Sequence, residues 1–106
     1  MNTKEWVWFG SPGHFIGARY CHFHLCTRVG KYLVSTVGEY RPDGVEGNNT
    51  EIGLNRLYET MVFLAGKPAP CCGIPEISGE DVDFAGYNTC GEATLGHSSM
   101  CDKWDI

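Results

Sequence analysis

The sequence predicts an α+β fold: an antiparallel sheet of three to five strands with a C-terminal helix packed on one face. Three observations predict it. Residues 21–40 alternate in polarity on either side of Gly30-Lys31, the pattern of a hairpin. Thr89-x-x-Glu92 opens the one stretch with helical signals. Fourteen Gly and five Pro divide the 106 residues into short elements.

The elements follow in order. Lys4 to Gly10 (KEWVWFG) is aromatic and β-branched, hence strand-like, and Ser11-Pro12-Gly13 breaks it. His14 to Tyr20 reads either as a helical turn or as an extended link. From Cys21, Phe23, Leu25, Thr27 and Val29 alternate with His22, His24, Cys26 and Arg28, a period of two. Gly30-Lys31 places Gly first, as a type II′ turn requires. Tyr32 to Tyr40 is then the return strand, and residues whose numbers sum to 61 face each other. Cys26 therefore sits opposite Ser35, and His24 opposite Val37.

Arg41-Pro42-Asp43-Gly44 is a turn, and the chain to Asn55 reads as a loop. Arg56 to Ala65 is the third main strand, with Met61 to Ala65 apolar on both faces. Gly66 to Pro75 carries three Pro in ten residues and reads as irregular. Glu76 to Asn88 is acidic and reads as a surface wrap; its Gly-Glu-Asp-Val-Asp stretch matches no Ca²⁺ loop. The helix runs from Thr89 to about Trp104, with Gly96 a weak point of about 1 kcal/mol relative to Ala.

The chain is expected to be a single domain over 1–106, large enough to bury roughly 60–70% of its unfolded surface. A net charge of −5, with eight scattered Lys and Arg, repels phosphate and argues against nucleic-acid binding. It is too mild to single out a basic partner. The N-terminal apolar run is too short for a signal peptide, and Met61 to Ala65 is far short of a membrane span. A cytoplasmic protein with reduced thiols is the expectation, so the six Cys are not read as a disulfide framework.

Cys21-His22-Phe23-His24-Leu25-Cys26 concentrates soft ligands, but alternation divides them: Cys21 joins Phe23 and Leu25, while His22, His24 and Cys26 share the other face. On the helix, Cys90, His97 and Cys101 fall within about 40° of one another. His97 and Cys101, four apart, are neighbours able to close on one zinc ion. Cys90 lies too far along the axis and reads as core. Cys71-Cys72 sits in a Gly/Pro-rich loop, and adjacent thiolates rarely share an ion. A structural zinc on His24, Cys72, His97 and Cys101 is the expected set, with Cys71, Cys26 and Cys21 as substitutes. It requires the helix to lie on the His24 face.

Two other readings compete. Buried free Cys behaves as a small hydrophobe, which gives a plain globular protein without metal. Alternatively, Cys26 or Cys101 with His24 or His97, oriented by Asp102 or Glu39, has the residue types of a thiol enzyme. Trp6, Trp8 and Phe9 read as core, since no basic neighbours accompany them.

Several stretches taken together carry a resemblance: WFGSPGHF (8–15), C-x-F-H-L (21–25), GKYLVSTVGEY (30–40), YETMVF (58–63), GYNT (86–89) and GH-x-x-M-C-x-K-W (96–104). The chain resembles a family of small proteins of bacteriophages, prophages and other bacterial mobile elements. The similarity implies action inside a bacterial host. It brings no activity with it, and relatives carry a longer insert where this chain has only residues 41–55. The functional expectation is a non-catalytic accessory protein, zinc-stabilised, that binds a host or phage protein, with host defence systems among the targets such proteins take; no residue points to a particular target.

Overall fold

The computed structural model describes residues 6–10, 21–42, 44, 49–52, 55–70 and 73–106. Five strands and one helix follow in chain order: β1 Trp6–Gly10, β2 Cys21–Val29, β3 Tyr32–Tyr40, β4 Tyr58–Pro68, β5 Pro75–Tyr87 and α1 Cys90–Lys103. The sheet order is β1-β2-β3-β4-β5, every neighbouring pair antiparallel. The α+β class is thus as the sequence indicates, at the upper end of the expected strand number.

The β2–β3 hairpin takes the register set by its turn. Cys26 pairs with Ser35 and His24 with Val37. Gly30 has φ +58°, which glycine reaches without penalty. Two stretches differ from expectation. Residues 76–88, read as a surface wrap, contain most of the 13-residue strand β5. Residues 66–75, read as irregular, contribute the end of β4 and the start of β5, with Pro68 opposite Pro75. Proline lacks a ladder donor and is tolerated at strand ends, where these two sit. Residues 78–83 of β5 lie against only 62–64 of β4, so the acidic stretch bulges from the ladder while the strand continues.

The helix begins as its capping signature requires. Thr89 accepts a hydrogen bond from the Glu92 amide at 3.1 Å. Glu92 in turn accepts from the Asn88 amide, one residue before the cap, at 3.1 Å. Ala93, His97, Met100 and Cys101 form its buried stripe. Cys90, expected in the core, is instead exposed on the first turn.

The helix covers one side of the sheet. There Val29, Val34, Val62, Met100 and Cys101 form a core, flanked by Trp6, Tyr32, Ala85 and Trp104. The second core, Cys26, Leu33 and Ile74 with Phe9 and Ala65, lies on the opposite side. Trp6 and Phe9 are core-lining as read from the sequence, whereas Trp8 is 60% exposed. Asp83 ties the helix end to β5: it accepts from Trp104 Nε1 at 2.9 Å and pairs with Lys103 at 2.7 Å. Its other oxygen accepts from the Phe84 amide at 2.9 Å. Burial alone raises the Asp83 carboxyl, but these donors outweigh it and hold the group below its usual range. Among the described residues, no helix is long and apolar enough to cross a membrane.

Gly96 is not the weak point that helix propensity suggests. A Cβ there would overlap the Tyr87 ring, so the glycine lets the helix approach β5. Gly96→Ala should therefore destabilise the fold by about 1–3 kcal/mol through overpacking, against the gain of about 1 kcal/mol expected for an unobstructed helix. Urea denaturation reads the sign. In a Tyr87→Ala background the same substitution should become neutral or stabilising.

Candidate functional site

Alternation along β2 and β3 fixes which soft ligands can meet. Ser35 and Thr36 are consecutive strand residues, so their side chains leave opposite faces. His97 reaches Thr36, its Nδ1 lying 2.7 Å from the hydroxyl, and His24 Nε2 lies 3.0 Å from Ser35. The two imidazoles are therefore on opposite sides of the sheet. The helix packs on the Thr27–Thr36 side, which is the Phe23 face, and not on the His24 face that the zinc expectation requires. Both faces of β2 offer apolar side chains, and helix docking selected the one with hydroxyls in reach of His97.

His97 sits at the centre of a buried polar array. Its Nε2 lies 2.9 Å from the Thr27 hydroxyl. Thr36 also bonds Thr60 at 2.6 Å, extending the array to β4. Trp8 stands edge-on to the imidazole at 6.2 Å. The ring is 6% exposed. Burial, and to a lesser extent the charge of His24 beyond the sheet, pull its pKa down to about 4. The imidazole is thus neutral near pH 7, with one nitrogen donating and the other accepting.

The expected zinc ligands do not assemble in this arrangement. His97 and Cys101 do share the buried helix face, as their spacing predicts. Both His97 nitrogens, however, are engaged by hydroxyls. His24 is across the sheet, and so is Cys26. Cys72 and its substitute Cys71 lie outside the described residues. Cys21 is half-buried on the edge of the Phe23 face. Among the described residues no group of three or more His, Cys, Asp or Glu is placed to hold a metal ion.

The buried and half-buried thiols Cys21, Cys26 and Cys101 are also poorly suited to nucleophilic chemistry. Burial pushes Cys26 to about 12, with Cys101 adding to the effect. Burial likewise raises Cys101 to about 11, only partly offset by a hydrogen bond with Thr27. Cys21 is raised by burial to about 11. A thiol held that high is protonated at neutral pH and is not the attacking species.

What the sequence does not single out is the state of the second sheet face. At β2 and β3 it is closed, with Cys26 fully buried and His24 at 3% exposure. Toward β5 it is open. Met61 pairs with Phe84, so both side chains, with Phe63 and Val82, lie on the side away from the helix. Phe84 is 52% and Val82 44% exposed. Hydrophobic residues within an acidic stretch suggest a loop, which conceals that they share one strand face.

No protein-family model, no characterised protein and no solved structure matches the chain.

Two measurements check this geometry. His97 titrates near 6.5 when unfolded and near 4 when folded. The unfolded chain therefore binds the extra proton, and stability is full above about pH 6.5 and declines below it. The slope approaches 1.4 kcal/mol per pH unit, for about 3 kcal/mol lost by pH 4. In His97→Gln, which keeps a donor and an acceptor, this component of the pH dependence should vanish. Separately, alkylation of the native protein followed by mass spectrometry should label Cys90 first among the described thiols and leave Cys26 and Cys101 protected until unfolding.

Proposed function

We propose that the chain is a non-catalytic accessory protein of a bacteriophage or related mobile element. It acts in the cytoplasm of a bacterial host by binding a host or phage protein, with a host defence component as one such target. The observation that carries this reading is the half-covered sheet. One face carries the helix, while the β4–β5 half of the other exposes Phe84 and Val82 beside the half-buried Met61 and Phe63. Clustered large apolar side chains on a rigid sheet are costly to leave in water and characterise contact surfaces. The motif resemblance supplies the setting.

The thiol-enzyme alternative has less support. Its candidate bases are engaged elsewhere: His97 by Thr27 and Thr36, and His24 at Ser35. Zinc on His24, Cys72, His97 and Cys101 is not carried into this proposal, because binding it would mean breaking the His97 array and moving His24 through the sheet. Elemental analysis of untagged, chelator-free protein tests that choice; one zinc per chain would reverse it.

The test of the binding reading compares wild type with Phe84→Asp, both expressed in a bacterial host. The wild type should retain a protein at fixed ratio through purification. The variant should lose it, with circular dichroism and thermal midpoint unchanged, since an exposed position costs little stability. Equal retention by both, or retention by neither, overturns the proposal.

A further inference from the structure

We propose that the open β4–β5 face docks a protein surface in which Lys or Arg side chains surround an apolar centre. This rests on the binding reading above and names the chemistry of the partner.

The apolar centre is matched by Met61, Phe63, Val82 and Phe84. What surrounds them is acidic. Glu59 lies two residues before Met61 on the same strand, hence on the same face. It is half-buried yet makes no ion pair among the described residues, and burial followed by the charge of Asp81 raises its carboxyl. Such a group is desolvated without compensation, and a cation placed against it recovers that loss. Strand β5 contains Glu76, Glu80, Asp81 and Asp83 and no Lys or Arg; Glu76 and Asp83 project to the helix side, while Asp81 is close enough to Glu59 to act on its carboxyl. Asp83 is spent on Lys103 and Trp104 at the helix side. Glu76, Glu80 and Asp81 make no ion pair among the described residues. The one cation on either strand, Lys67, is at the far end of β4.

Local charge therefore decides what the net charge of the chain does not. A second copy of this chain would set Glu59 and Asp81 against their own equivalents, which disfavours a dimer through this face. Nucleic acid and anionic lipid are repelled for the same reason. A basic protein surface gains on both counts, since its hydrocarbon covers the aromatic and aliphatic groups while its charges meet the uncompensated carboxylates.

The experiment uses the full ¹⁵N-labelled chain and three peptide probes: alternating Lys–Leu, Glu–Leu and Ser–Leu. Amide shifts are followed at about 20 and about 300 mM NaCl, conditions that bracket strong and weak screening. The Lys–Leu peptide should shift Glu59, Met61, Phe63, Val82 and Phe84. It should bind about tenfold more tightly than Glu–Leu at low salt and lose several-fold at high salt. Glu59→Gln should weaken it about threefold or more without altering the thermal midpoint. Shifts centred on another surface, or no shifts with any probe, overturn the proposal. So does sedimentation showing a dimer that Phe84→Asp dissolves. Equal binding of Ser–Leu and Lys–Leu at this face overturns the basic partner but leaves the binding reading standing. Loss of a co-purified but acidic partner in Phe84→Asp does the same.

Discussion

The imidazole of His97, held between the hydroxyls of Thr27 and Thr36, is the contact on which the arrangement of the molecule depends. A neutral ring buried with two polar atoms must find a donor and an acceptor, and leaving either unmet costs about 1–3 kcal/mol. Only one face of the sheet offers hydroxyls at the right places, because Thr27 and Thr36 project from adjacent strands on the same side. The polar requirement thus selects a face between two that are both apolar enough to receive a helix. Val29, Val34 and Val62 then supply the bulk of the burial against Met100 and Cys101.

That selection has consequences on both sides. With the helix committed to the Thr27 side, His24 and Cys26 are enclosed separately, beside Ser35 and with Leu33 and Ile74. The dense Cys-His-Phe-His-Leu-Cys run is then two interleaved sets facing opposite ways, buried or half-buried except for the exposed His22, and its thiols serve as compact apolar groups. The same commitment leaves the β4–β5 half of the second face without a helical cover, and Val82 and Phe84 stand open there.

Much of the fold was legible in the chain itself. The hairpin could be read to the residue because a two-residue turn and a period of two leave no freedom of register. The helix could be placed by its capping box and its end at Trp104. Strand β5 could not, because Pro75, Gly79 and the polar Ser78, Glu80 and Asp81 around that glycine carry loop chemistry, and pairing with β4 overrides local preference. The side chosen by the helix was equally hidden. Threonine on a strand is read as β-branched filler, and nothing local distinguishes Thr27 and Thr36 as partners for a histidine tens of residues away. Soft ligands drew attention to the wrong face, while the exposed Phe84 was masked by its acidic neighbours.

One carboxylate joins these elements in a way that reaches beyond folding. Asp83 occupies the Phe84 amide on the outermost strand while it secures Lys103 and Trp104. A strand at the margin of a sheet invites another chain to zip onto it, and natural proteins blunt such margins with charge and irregularity. Here the safeguard and the helix anchor are one residue. Whatever removes that negative group, by acid or by substitution, loosens the lid and bares a sticky rim in a single event. Loss of solubility would then accompany the first step of unfolding instead of following it.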